Sequence, residues 1–228
     1  MESERKGPKK VAVLGGSFDP ITNAHLKIAA ELIHSRSADE VWIIPCGPRP
    51  DKPSLSTPVN HRIAMCHIAV ASVFSATFPV FVNEIEAALP AALSTFHLME
   101  QLQKSHPDYS FHFVIGTDLI STLKTWDAPG VENAGQLLWE KCNFLVLPRP
   151  GYEIPEKLPS NFRQIAALPG LSIMSDNLSS SEIRARVRMQ ASLEKGNQNP
   201  DHLVESLIPL PVLSHLRRYK LYAIPRSI

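Results

Sequence analysis

Short apolar runs rich in β-branched residues recur at helix-sized intervals along this chain, over 10–14, 41–45, 79–83, 111–116, 143–148 and 171–174. Between them the apolar residues fall at helical spacing, over 25–35, 60–74, 92–105 and 135–141. Strands that alternate with helices build βαβ units, which assemble into a parallel sheet. Runs such as Val41-Trp42-Ile43-Ile44 are apolar on both sides of a strand, which suits a sheet covered on both faces. The pattern therefore predicts an α/β fold, a doubly wound, mostly parallel sheet with helices on both faces. A short helical part over about 179–228 follows, ending in an amphipathic stretch at 207–222. Ligands of such sheets bind off the carboxyl ends of the strands, so motifs that directly follow strands share one cleft.

At 228 residues the chain can bury one full core, and residues 10–228 read as a single domain. The basic segment 1–9 reads as a disordered, solvated tail, although Arg5-Lys6-Gly7-Pro8-Lys9-Lys10 also fits a nuclear signal. A net charge of +1, with both signs interspersed, provides no field for nucleic acid or an anionic membrane. The stretch 63–82 lacks Asp, Glu, Lys and Arg and is long enough to span a bilayer. Its polar residues His67, Ser72, Ser75 and Thr77, and the break at Pro79, make it a helix followed by a buried strand instead. Cys46, Cys66 and Cys142 are too far apart for a disulfide framework or a C-x-x-C metal site. They read as reduced thiols of a cytoplasmic or nuclear protein, with no metal-ligating set among the side chains. Proline-rich segments at 46–59 and 151–161 read as long loops. A homo-oligomer is compatible with all of this.

The first run leads into Gly15-Gly16-Ser17-Phe18-Asp19-Pro20-Ile21-Thr22-Asn23-Ala24-His25-Leu26. A strand, a Gly-Gly turn and a helix starting near His25 aim backbone N–H groups and a helix N-terminus at one spot. Gly15 and Gly16 would let a phosphate approach the main chain, and His25 would donate to it. The spelling is neither G-x-x-x-x-G-K-[ST] nor G-x-G-x-x-G. It resembles the signature of the nucleotidyltransferase superfamily, and within it the nicotinamide/nicotinate mononucleotide adenylyltransferases. Gly15 to Pro20 follow the bacterial branch and Thr22 to His25 the eukaryotic one, while Ala24 departs from the superfamily's Gly. The resemblance implies a Rossmann-like sheet.

Near the other end, Ser179 with Glu182 spells a capping box at a helix start, and Arg184, Arg186 and Arg188 alone would read as a solvated face. The same segment, Leu178-Ser179-Ser180-Ser181-Glu182-Ile183-Arg184, resembles the superfamily's I-S-S-T-x-x-R motif. Gly116-Thr117-Asp118 followed by Trp126 resembles the family's G-x-D…W segment. The resemblance implies an ATP site of Gly15, Gly16, Ser17, Phe18, His25, Gly116, Asp118, Ser180, Ser181 and Arg184, with Asp118 on ribose hydroxyls. Ser17, Lys52, Thr95, Trp126 and Arg149 would hold the mononucleotide, Trp126 stacking on its pyridine ring. The pair His61-Arg62 also matches the family, while Trp42 and Trp139 read as core.

The implied reaction moves AMP from ATP to nicotinamide or nicotinate mononucleotide, with His25 and Arg184 as the catalytic residues. Mg²⁺ would be bound mainly through substrate phosphates and water. The other readings are a phosphopantetheine- or glycerol-phosphate-type transferase of the same superfamily, and a nucleotide-binding sensor or scaffold without turnover. Leu93, Ser94 and Phe96 carry no charge, so both mononucleotides are expected to react with kcat/KM within about tenfold of each other. Arg184→Ala is expected to spare stability, and Ser179→Ala to cost about 1 kcal/mol through the lost cap.

Overall fold

The computed structural model describes residues 7–166, 178–193 and 203–222. Six strands form one sheet: β1 (Lys9–Gly16), β2 (Glu40–Pro45), β3 (Val80–Val82), β4 (Tyr109–Gly116), β5 (Asn143–Leu147) and β6 (Phe162–Gln164). Their order is β3-β2-β1-β4-β5-β6, and every neighbouring pair is parallel. This is the doubly wound, Rossmann-like arrangement, with its switch point between β1 and β4. The expected strand at 171–174 and most of the basic tail lie outside the described residues. β6 was not anticipated, because Phe162-Arg163-Gln164 offers a single apolar residue to a pattern search.

The helices are α1 (Asn23–His34), α2 (Val59–Val73), α3 (Thr95–Ser105), α4 (Thr117–Ile120), α5 (Ala134–Lys141), α6 (Ser180–Leu193) and α7 (Leu210–Arg218). Caps set two of the starts. The hydroxyls of Thr22 and Ser94 accept the backbone N–H groups of His25 and His97, so α1 begins at Asn23, before position 25 where the apolar pattern starts, and α3 at Thr95, after position 92 where its pattern starts. The single-turn α4, which follows β4, gives no periodic signal and was not anticipated. The last helix is shorter than 207–222: Pro209 stands at its N-cap and Tyr219 ends it.

Alternate residues of each strand feed two cores. Ala12, Leu14, Val41, Ile43, Val114 and Leu145 face α1, α2 and α7 with Leu26, Leu32, Met65, Val212 and Leu216. Val11, Val13, Trp42, Ile44, Phe113 and Phe144 face α3 and α5 with Leu98, Leu102 and Leu138. The period of two along a strand places successive side chains on opposite faces, so a strand apolar throughout supplies both layers. Trp42 is core, as expected, whereas Trp139 is half-buried, with the Lys124 ammonium 4.5 Å from its ring centroid. Among the described residues no helix is long and apolar enough to cross a membrane.

Candidate active site

The loop after β1 and the start of α1 are built around His25. Its ring Nδ1 accepts the backbone N–H of Thr22 at 3.0 Å and lies 2.8 Å from the Thr22 hydroxyl. The Thr22 Oγ1 in turn accepts the His25 N–H, which completes a capping box with histidine at its third position. Because a backbone N–H can only donate, Nδ1 must be the unprotonated nitrogen, so the ring's proton sits on Nε2. Burial, reinforced by the positive charge of Arg149, lowers the His25 pKa to about 4. At neutral pH His25 is thus an uncharged imidazole offering one Nε2–H donor.

The glycines before it pack closely against aromatic rings. A Cβ on Gly15 would lie 3.2 Å from the Phe113 ring, and one on Gly16 would lie 3.2 Å from the Phe18 ring. On the side where a Cβ would stand, each glycine is thus backed by an aromatic ring. Phe18 is itself buried and takes a left-handed φ of 45°, a strained conformation for a bulky residue. Its ring stands edge-on to His25, centroids 5.1 Å apart, and walls one side of the imidazole.

Asp118 and Arg149 meet across the ends of β4 and β5. Arg149 Nε and Asp118 Oδ1 are 4.0 Å apart, and both atoms are buried without a hydrogen-bond partner. A buried charged donor and acceptor left unsatisfied in this way are uncommon in folded proteins. The Arg149 backbone N–H, donating to the Thr117 hydroxyl at 2.9 Å, fixes where that side chain starts. Here the missing Cβ of Gly116 matters: it would run into Asp118 Oδ1 and the Arg149 side chain.

The start of α6 is pinned onto the same loop. Ser180 Oγ donates to the Pro20 carbonyl at 2.7 Å, and Arg184 Nη1 donates to the Asp19 carbonyl at 2.8 Å. Arg184 Nη2 donates to Ser181 Oγ at 3.0 Å, and the Arg184 side chain is only 14% exposed. Arg184 therefore belongs to the cleft wall and not to a solvated face. Its hydrogen bond to the Asp19 carbonyl gives the side chain a packing role that the spelling of the motif does not show. Ser179 Oγ accepts the Glu182 N–H as a cap, but the Glu182 carboxylate pairs with Arg186 at 2.7 Å, and no bond back to Ser179 completes the box.

Two buried charges knit the floor. Arg62, 1% exposed, donates to the carbonyls of Ser17 (2.8 Å), Gly47 (3.1 Å) and Thr57 (3.3 Å). Glu86 accepts the N–H groups of Gly47 and Leu93, both at 2.9 Å, and burial raises its pKa despite them. These bonds fasten the segment before Thr95 to the loop after β2. Thr95 opens α3 there, and Trp126 follows a 3-10 turn at Leu123–Thr125, half-buried and edge-on to Phe113 at 6.4 Å.

The structure thus gathers Gly15, Gly16, Ser17, Phe18, His25, Gly116, Asp118, Arg149, Ser180, Ser181 and Arg184 around the carboxyl ends of β1, β4 and β5, with Thr95 and Trp126 flanking. Lys52 is exposed on the loop after β2, beside Asp51, which the hydrogen bonds from Arg49 hold below the usual carboxylate range with a lesser contribution from Lys52. Sequence reasoning assigned no role to Asp19 or Glu86. For Arg62 a signal existed, a charge at the head of the otherwise uncharged stretch 63–82. For Glu86 none did.

A parallel sheet of this order, with a histidine completing the cap of the helix after its first strand, defines the doubly wound, Rossmann-like class of α/β protein. The cytidylyltransferase-like family model matches residues 13–186, and the chain belongs to that family. Its full-length relatives narrow the class. It is 29% identical over 220 residues to a protein of Oceanobacillus iheyensis named "Probable nicotinate-nucleotide adenylyltransferase", covering 96% of this chain and 100% of that one. A protein of the same name from Leifsonia xyli is 30% identical over 223 residues, covering 97% and 98%. Among solved structures, Plasmodium falciparum nicotinic acid mononucleotide adenylyltransferase complexed with NaAD matches with a TM-score of 0.71 at 27% identity, over 94% of this chain and 97% of that one.

Proposed function

We propose that this protein transfers AMP from ATP to nicotinate mononucleotide, yielding the deamido dinucleotide and pyrophosphate. The observation that carries this reading is the neutral, Nε2-protonated His25, which feels the positive charge of Arg149 and follows the loop onto which the Arg184-bearing start of α6 is pinned. The mononucleotide's 5′-phosphate is already ionised near neutral pH and needs no strong base. One of its oxygens attacks the α-phosphorus of ATP in line as the bond to the β-phosphate oxygen breaks. Such a reaction is accelerated by positioning and by donors aimed at developing charge. His25 donates through Nε2–H to the α-phosphate, and Arg184 with the first turn of α6 holds the leaving pyrophosphate. Arg149 orients the incoming phosphate, and Asp118 accepts from ribose hydroxyls. Mg²⁺ would be held mainly by the substrate phosphates, with water as its other ligands. When bound there it would supply neutralisation of phosphate charge.

The pyridine end favours nicotinate. Thr95 is the first residue of an eleven-residue helix, and the positive end of that helix faces any ligand placed against it. A carboxylate gains from this and a neutral amide gains little. The expectation of near-equal use counted side-chain charge alone and is replaced by a preference for nicotinate. The assay is pyrophosphate release from ATP with each mononucleotide in turn. Release with nicotinate mononucleotide at a kcat/KM about tenfold or more above the amide is expected. No release with either would remove the reading.

A further inference from the structure

We propose that Tyr222 is a positioning residue for ATP: its phenol holds the Asp19 carboxylate so that Arg184 stays turned toward the triphosphate. This rests on the adenylyl-transfer reading for the identity of the ligand, and its geometry involves a segment outside both sequence motifs. Tyr222 Oη donates to Asp19 Oδ1 at 2.6 Å. Asp19 is 1% exposed, and its other oxygen, Oδ2, is buried with no hydrogen-bond partner, 3.8 Å from Arg184 Nη1. That separation is too long for a hydrogen bond. An unrestrained carboxylate at this range closes onto a guanidinium and takes up its donors in a bidentate pair. Here Nη1 donates to the Asp19 backbone carbonyl instead, at 2.8 Å, and the carboxylate is held back by the phenol on its far oxygen.

The backbone is bent to deliver that phenol. Lys220 and Tyr222 take left-handed φ values of 51° and 64°, which non-glycine residues adopt only when their surroundings hold them there. One turn earlier, the Tyr219 ring packs at 4.7 Å from His61 and 4.6 Å from His215, while His61 Nδ1 meets His215 Nε2 at 3.1 Å. The end of α7 is thereby clamped to α2, the helix whose Arg62 holds the loop after β1. Burial and the neighbouring Asp19 charge push the phenol's pKa up, so it remains a donor at any working pH.

The test uses the full chain and three variants: Tyr222→Phe, Asp19→Ala and the double variant. Tyr222→Phe is expected to raise the KM for ATP about fivefold, the scale of one hydrogen bond, while kcat and the KM for the mononucleotide stay within about twofold. In the Asp19→Ala background, which removes the acceptor itself, Tyr222→Phe is expected to add nothing, since its effect passes through that carboxylate. Calorimetric titration with ATP reads the same loss without turnover, so a failure of the adenylyl-transfer reading shows in wild-type pyrophosphate release and a failure of this proposal in ATP affinity. An unchanged ATP affinity in Tyr222→Phe overturns the proposal. So does a parallel loss of kcat, both KM values and thermal stability, which marks a purely structural contact, and so do additive losses in the double variant.

Discussion

His25 shows how one residue can complete a helix cap and keep a donor free at once. Accepting the Thr22 N–H through Nδ1 commits that nitrogen to the helix and leaves Nε2–H as the donor that the proposed function gives to the phosphate. His25→Ala should therefore lower kcat by about 10²-fold or more, the scale of one lost transition-state donor. It should also cost about 1 kcal/mol of stability through the broken capping box, read from urea melts. Nitrogen-15 spectra of the free protein at pH 6 should show the Nε2–H tautomer, and an imidazolium at that pH would contradict the assignment. Arg184→Ala should weaken ATP use and also destabilise by about 1–2 kcal/mol, because the Asp19 carbonyl loses a charged donor.

At the scale of elements, the site depends on what fastens loop to loop. Ser179→Ala should cost about 1 kcal/mol by removing the acceptor for the Glu182 N–H, with ATP kinetics nearly intact. Glu86 offers a sharper contrast. Its Oε2 accepts two backbone N–H groups, and burial already favours its uncharged form. Glu86→Gln keeps an acceptor in place and should change stability by less than about 1 kcal/mol. Glu86→Ala leaves two N–H groups unpaired and should cost about 2–4 kcal/mol by chemical denaturation, while raising the KM for the mononucleotide through the displaced start of α3. Equal effects of the two substitutions would show that Glu86 does not act through those bonds.

For the whole molecule, pH acts through histidines that are neutral when folded. His25 and His112 both have pKa values lowered from 6.5 to about 4, chiefly by burial. As pH falls below 6.5 the unfolded chain takes up protons that the folded chain refuses, so stability is full above about 6.5 and declines toward 4. The slope is at most about 1.4 kcal/mol per pH unit for each group. Glu86, whose folded pKa is raised, opposes the loss at the acid end of that window. Urea midpoints at pH 7.5, 5.5 and 4.5 should fall in that order, and a flat series would refute the burial of these rings. Val212, Leu213 and Leu216 of α7 sit in the same core as β1 and α1. Leu216→Ala should lower stability by about 2–5 kcal/mol and shift one cooperative transition, whereas two separate transitions would make the C-terminal part a unit of its own.

By itself the sequence determined the layers and the chemistry that follows each strand. Strands apolar on both sides, separated by helical patterns, leave little besides a parallel sheet covered on both faces, and a glycine turn running into a capped helix places His25 beyond the first strand's end. Those are local properties, set by neighbours a few residues apart. What tertiary structure decided are the pairings between distant residues. Phe113 fills the space beside Gly15, Glu86 reaches Gly47, Arg184 reaches Asp19, and Tyr222 reaches the same aspartate across 203 positions of chain. No periodicity records such contacts, because the energy that selects them comes from burying a charge or a ring against whatever the fold has brought alongside.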